Sequence, residues 1–208
     1  MVHPMESYPP TLPGGAVDIG TERMMGLIGS IIELLGFIPY IGNILSLLGF
    51  ILILIALHGI GNKLGDERPF RNYLKGFIII LAGVIVAAII VLSAFVVHSA
   101  GGVVRHEQNL GLIFAGIAVI IVAVILGAYF QKKAWEAMYE ITGVQEFKKT
   151  ADFLWWGVLT LIILVGFILL LVSAIYRILA FSNLPREISR RMPRQEVTGE
   201  DFTGDFTW

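Results

Sequence analysis

The sequence from Tyr73 to His98 reads YLKGFIIILAGVIVAAIIVLSAFVVH, and Lys75 is its one lysine, arginine or acid. The apolar residues are continuous, without the alternation or helical spacing of a water-facing surface. A helix of this length can cross the ~30 Å hydrocarbon core of a bilayer with some tilt. The stretch therefore indicates an integral membrane protein.

Three further apolar blocks accompany this span. The block from Met24 to Ile60 is interrupted by Pro39-Tyr40-Ile41-Gly42-Asn43, a turn sequence that predicts a helix of about 15–17 residues on either side. The block from Leu110 to Phe130 fits one span without tilt. The block from Phe153 to Asn183 is too long for one untilted crossing, so we expect one span followed by an interfacial Arg177.

The blocks together predict an all-α fold. We expect a polytopic transmembrane helix bundle with about five membrane crossings, of which the first two form a short helical hairpin broken at Pro39–Asn43. A polar N-terminal arm at residues 1–22 precedes the transmembrane domain at 23–183, and a basic-then-acidic tail follows at 184–208. Such a chain is expected to lie in the cell (plasma) membrane as a multi-pass protein surrounded by lipid.

Lysine and arginine concentrate in two of the connections between blocks. Residues 61–72 and 131–152 are rich in them, whereas residues 99–109 contain only Arg105. The positive-inside rule predicts that the first two loops face the cytoplasm and the third the outside. A single last span leaves the arginines of residues 186–194 outside, against this rule. A break at Val165-Gly166 would bring them inside, but it leaves two short helices and no turn chemistry.

The composition excludes several classes of function. Of the 208 residues, 56% are hydrophobic and 15% are charged, and the net charge is −1, so there is no basic field to hold nucleic acid. The chain has no cysteine, which removes disulfides, thiolate metal sites and cysteine nucleophiles. His58 and His98 end their helices on opposite sides of the predicted membrane, so they cannot share a haem. Without a catalytic motif, we expect a protein that is not an enzyme and needs no cofactor or metal.

Glu33 is the one acid deep inside an apolar block. An ionisable side chain in hydrocarbon costs several kcal/mol unless it is paired, protonated or hydrated, so Glu33 is a candidate functional residue. Asn43 and Ser46 are polar neighbours in the same hairpin and complete a candidate intramembrane polar site. The two interpretations are an ion or proton role and a role in packing or assembly.

Small residues recur at multiples of four in the third block, at Gly111, Ala115, Ala123 and Gly127. Small side chains at this spacing allow a second helix to approach closely, and close packing drives helix association in lipid. The pattern predicts a helix-packing face, for contact either within the monomer or with another subunit.

The C-terminal tail combines acids with spaced aromatic rings. Phe202, Phe206 and Trp208 stand among Glu200, Asp201 and Asp205. Acidic segments with spaced aromatic residues can order on a basic partner surface, so we expect these three rings to dock on a partner, the alternative being a solvated, disordered tail.

The transmembrane blocks resemble a known family. The matching patterns are Leu35-Gly36-Phe37-Ile38-Pro39-Tyr40-Ile41-Gly42, Leu48-Gly49-Phe50-Ile51-Leu52, Gly65-Asp66 with Phe70-Arg71-Asn72 and Gly76-Phe77, and Thr142-Gly143-Val144 with Phe147. With these, residues Met24 to Leu184 resemble an uncharacterised family of small integral-membrane proteins from archaea and some bacteria, catalogued as a domain of unknown function. The resemblance implies a helical multi-pass fold and an archaeal setting, and it brings no activity with it.

These observations favour a non-catalytic integral membrane protein that acts as a structural or accessory subunit of a larger membrane assembly. Its expected partners are membrane lipids and either other membrane protein subunits or further copies of itself, and not nucleic acid. The alternative is a small-solute or ion transporter or channel that uses Glu33 and the broken first hairpin, because interrupted helices expose free backbone groups at depth.

Overall fold

A computed structural model describes residues 15–36, 38, 41–99, 106–161 and 165–189. These residues form six α-helices and one two-stranded antiparallel sheet. In chain order the elements are β1 Ala16–Asp18, α1 Gly20–Leu35, α2 Gly42–Leu64, α3 Arg68–Ser99, α4 His106–Thr142, α5 Gln145–Leu159, α6 Val165–Asn183 and β2 Glu187–Ser189.

The helices pair as three antiparallel hairpins, α1–α2, α3–α4 and α5–α6. In the first hairpin the backbones come so close that a Cβ built on Gly49 would lie 2.6 Å from the carbonyl oxygen of Gly29. In the second, a Cβ on Gly76 would lie 2.7 Å from the carbonyl oxygen of Gly127. Glycine permits these approaches because it has no Cβ, and helices that meet this closely gain packing energy in lipid.

The last apolar block is broken into two helices, so the expectation of one continuous span is wrong. The hydroxyl of Thr160 donates to the carbonyl of Trp156 at 2.6 Å, and α5 ends at this turn. The chain then reverses, and the Ser173 hydroxyl of α6 donates to the carbonyl of Thr150 in α5 at 2.9 Å. Gly157 allows α5 and α6 to approach closely, since a Cβ there would lie 2.9 Å from the Leu170 side chain.

One end of the bundle, which we call the polar end, contains the starts of α1, α3 and α5 and the ends of α2, α4 and α6. Lys63 at the end of α2 forms an ion pair of 2.8 Å with Glu22 at the start of α1. Arg68 at the start of α3 pairs with Glu140 near the end of α4 at 2.9 Å. The Asn183 amide at the end of α6 donates to Glu146 at the start of α5 at 3.2 Å.

The short sheet joins the two ends of the described chain at the polar end. Strands β1 and β2 are antiparallel, with Val17 opposite Ile188. Arg23 donates to the carbonyl oxygen of Ser182 at 2.6 Å and fixes the start of α1 against the end of α6. Arg186 therefore lies at the same end as the basic loops, whereas a single last span would have put it on the opposite side.

The best-packed core lies near the polar end and is aromatic. Trp135 of α4 is fully buried and stacks on Phe147 of α5, with ring centroids 5.9 Å apart. Tyr73 of α3 and Phe181 of α6 meet the same indole edge-on, at 5.4 and 6.2 Å. These rings connect the second hairpin to the third, and offset or edge-to-face contacts of this kind add to the burial energy.

Among the residues that the structure describes, four helices are long and apolar enough to cross a membrane: Ile44–Leu64, Arg68–Ser93, Leu110–Thr142 and Val165–Asn183. The predicted fold class, an all-α transmembrane bundle, is confirmed, and the expected number of about five crossings is close to the six helices of the described residues. In the α3 and α4 spans only 17% of residues are buried, against 33% in α2 and α6. The α3–α4 hairpin therefore presents most of its apolar surface outward.

Candidate functional site

An ion pair lies within the apolar part of the bundle. The Glu33 carboxylate of α1 and the Arg177 guanidinium of α6 approach to 3.2 Å. The Arg177 side chain is 8% exposed and that of Glu33 is 24% exposed. Glu33 lies ~20 Å along α1 from the polar end. The pair ties the first hairpin to the third inside the bundle.

Arg177 is held by an aromatic ring as well as by the acid. The centre of its guanidinium lies 5.6 Å from the centroid of the Trp135 ring. A cation over an aromatic face gains electrostatic energy that increases as water is removed. The sequence analysis expected Arg177 at the membrane interface, and the structure buries its side chain within the protein, between Glu33 and Trp135.

The polar atoms of this cluster are incompletely satisfied. Within the described residues, Glu33 Oε2, Arg177 Nε and Trp135 Nε1 are buried and make no hydrogen bond. The 3.2 Å contact between Glu33 and Arg177 is thus an ion contact without hydrogen-bond geometry. Buried polar groups without a hydrogen bond raise the free energy of the folded state, and they commonly mark a place that water or a ligand can occupy.

A cavity of about 240 Å³ adjoins the pair. Its five polar lining residues come from four different helices, α1, α2, α4 and α6. They are Glu33, Ser46, Gln131, Ser173 and Arg177. Leucines and small residues form the rest of the wall, so the cavity is a small, partly open hollow with a few polar groups in a mostly apolar lining.

The structure brings together two of the three predicted polar-site residues. Glu33 and Ser46 both line the cavity, and Asn43 lies in the first turn of α2, with its side chain outside the described part of the chain. Sequence reasoning missed Arg177 and Gln131. The sequence could have pointed to Arg177, because it is the one lysine, arginine or acid between Phe153 and Asn183. Glu33 was singled out on the same ground in the block from Met24 to Ile60.

The predicted helix-packing residues divide between two faces of α4. A Cβ on Gly127 would meet the Gly76 carbonyl at 2.8 Å, and Ala123 packs against Gly83, so these two face α3. Gly111 and Ala115 are exposed. The physical reason is helical drift, since steps of four residues advance by about 400° and each step turns the face by about 40°.

The predicted docking rings Phe202, Phe206 and Trp208 lie outside the described residues, as do residues 1–14 of the N-terminal arm. Their roles stay predictions.

Comparison with known proteins assigns a family to this arrangement. A family model described as "Protein of unknown function (DUF996)" matches residues 45–175. The chain belongs to the DUF996 family. That match spans α2 to α5 and most of α6, and it contains Ser46, Gln131 and Ser173 of the cavity.

One relative of this family member extends the match. The chain is 28% identical over 172 residues to "Uncharacterized protein MJ1644" of the archaeon Methanocaldococcus jannaschii. The aligned region covers 83% of this chain and 96% of the relative. No solved structure matches. The resemblance to an uncharacterised family with archaeal members is thereby confirmed.

Proposed function

We propose that this protein is a non-catalytic structural or accessory subunit of a membrane assembly in the cell membrane, and that the α3–α4 hairpin is the part that meets its neighbour. The neighbour is another membrane protein or a second copy of the chain. The observation that carries this proposal is an exposed stripe of small residues on α4, in a hairpin that the rest of the bundle covers sparsely.

The stripe consists of Gly111, Ala115 and Ala118, with Val122 one turn further on. All four are exposed, and their spacing of four, three and four residues keeps them on one face. An open apolar hollow of about 360 Å³ lies beside this face, with Ala118, Val122 and Ile79 of α3 in its lining. A smooth face next to a hollow suits a second helix, because packing rather than water exclusion drives association in lipid.

The Glu33–Arg177 pair supports a structural interpretation of the polar site. Its two charges neutralise each other and connect α1 to α6. A buried pair of this kind adds little net stability but specifies which helices meet, as polar groups do in some other cores. In an accessory subunit the Glu33–Arg177 contact would hold the α1–α2 and α5–α6 hairpins together and leave α3–α4 free to meet the neighbour.

The experiment is native purification in mild detergent followed by mass spectrometry of the intact complex. We expect the wild-type protein to carry a second copy or another membrane protein, and Ala118→Leu to lose it. Ala88→Leu is the matched control, since Ala88 is an exposed alanine of α3 that does not line the hollow. A wild-type protein that is always a bare monomer would contradict the proposal, as would equal effects of the two variants.

The polar cavity favours a second candidate function, that of a small-solute or ion transporter. Its support is that Glu33, Gln131 and Arg177 line the same half-open cavity and that Glu33 and Arg177 each have a buried polar atom without a hydrogen bond. The purified protein, reconstituted alone in liposomes, would then carry a flux that Glu33→Gln abolishes and Glu140→Gln, a change at the polar end, leaves intact. Absence of any flux from a folded protein counts against this candidate and not against the first.

A further inference from the structure

A groove with a basic lining lies between the start of α3 and the end of α4. Its volume is about 430 Å³, and its basic residues are Arg68, Arg71, Lys75 and Lys133. Asn72 and Phe130 contribute an amide and an aromatic wall. The groove lies where the charged polar end of the hairpin meets its apolar span, which is the level at which lipid phosphates are found.

Each acid that lines the groove is already paired with a cation, one inside the groove and one outside it. Glu140 pairs with Arg68 at 2.9 Å, and Glu136 pairs with Lys132, outside the groove, at 3.3 Å. Arg68 is also bound by Asp66 at 2.7 Å, so its charge is offset.

Two cations of the groove remain without an acid. Arg71 and Lys75 are exposed and form no ion pair within the described part of the chain. The Lys133 ammonium lies 4.7 Å from the centroid of the Tyr129 ring on the same helix and adds a third positive charge at the groove. The groove therefore suits an anion.

The same face of α3 continues from these cations into the membrane. Arg71, Lys75, Ile78, Ala82 and Ile85 follow one another at helical spacing, and all five are exposed. Ile78 and Ile85 are each 52% exposed. An anionic headgroup at Arg71 and Lys75 would thus have an apolar track directly beneath it, which a free phosphate ion does not need.

From this juxtaposition we propose that the groove binds an anionic phospholipid. Arg71, Lys75 and Lys133 hold its phosphate, and an acyl or isoprenoid chain lies along Ile78 and Ile85. Cations at the membrane surface attract anionic lipids, and basic pockets between transmembrane helices bind their headgroups. The site is independent of the proposed subunit role, because it uses the polar end of the hairpin and not the small-residue stripe.

The experiment is native mass spectrometry of the full chain, titrated with phosphatidylglycerol and, separately, with zwitterionic phosphatidylcholine. We expect one phosphatidylglycerol to be retained preferentially. The double variant Arg71→Gln, Lys75→Gln should weaken its binding about 30-fold, as expected for two surface cations. The matched control is Lys148→Gln, Lys149→Gln, which removes two exposed lysines of α5 outside the groove and should change binding less than about twofold.

Three results would overturn the proposal. They are equal retention of the two lipids, equal losses in the two double variants, and displacement of the lipid by millimolar inorganic phosphate, which would make a free phosphate the ligand. Because all four substituted side chains are exposed, circular dichroism should show both variants folded.

Discussion

Arg177 and Glu33 are 144 positions apart in the chain, yet their charged groups lie 3.2 Å from each other in the apolar part of the bundle. Each is the one lysine, arginine or acid of its apolar block. Their contact joins α1 to α6 and so determines how the first and third hairpins meet.

We expect loss of one member of this pair to destabilise the protein more than loss of both. Glu33→Leu leaves a buried guanidinium that cannot lose its proton, and should cost about 3 kcal/mol of unfolding free energy. Arg177→Leu should cost less, because the Glu33 side chain that remains is 24% exposed and can be partly solvated.

The double variant Glu33→Leu, Arg177→Leu should recover much of that stability. Denaturant unfolding in detergent measures all three, with Glu140→Leu as an exposed-pair control that costs under about 1 kcal/mol. If the losses of the two single variants simply add in the double variant, the pair has no coupling and its assignment as a helix-specifying contact is wrong.

The hairpin arrangement predicts which positions share one side of the membrane. Because the chain has no cysteine, single cysteines at Gly65, Gln145 and Glu187 can be labelled with an impermeant reagent. All three should be protected in intact cells and become reactive after lysis, since the basic polar end is expected in the cytoplasm. A cysteine at Gln108 should react in intact cells. A cysteine at Glu187 that behaves like the one at Gln108 would contradict the α5–α6 hairpin.

Close packing of the first hairpin predicts a strict requirement for glycine at position 49. The Gly29 carbonyl lies 2.6 Å from where a Cβ would be, so Gly49→Val must push α1 away from α2. Overpacking of this kind costs about 1–3 kcal/mol or more. Thermal unfolding in detergent measures the loss, and Ala88→Val is the control, because Ala88 is an exposed alanine of α3 outside both this contact and the small-residue stripe of α4. Equal melting temperatures for the two variants would show that α1 and α2 are not in this contact.

The loop before α3 predicts a small acid-dependent loss of stability. Arg68 donates to the Asp66 carboxylate and holds its pKa below the usual value. Asp66 therefore contributes stability above its unfolded-state pKa of about 3.9, and this contribution disappears as the pH falls through the lower folded-state value.

The test is the difference in unfolding free energy between wild type and Asp66→Asn. It should be under about 1 kcal/mol at pH 7 and should shrink below pH 4. A difference that grows on acidification would show that the carboxylate is not stabilised by Arg68.

Sequence alone determined the class of this protein and the position of its first turn. Long apolar blocks predict membrane helices, because a helix satisfies its own backbone hydrogen bonds and lipid accepts any apolar side chain. The turn after Gly36 was readable from Pro39 and Gly42, since proline and glycine act locally. Glu33 was predicted as a candidate site residue from the cost of an ionisable group at depth, and Ser46 as its polar neighbour, and both line one cavity.

The tertiary structure alone decided the break between α5 and α6 and the partner of Glu33. No proline marks the break, and the pairing of α5 with α6 includes Gly157 packed against Leu170 of the returning helix. The partner of Glu33 depends on that break as well, because the reversal of the chain carries Arg177 back into the bundle beside Trp135. Such contacts join residues far apart in the chain, and the composition of a helix in lipid does not say which of its neighbours it will meet.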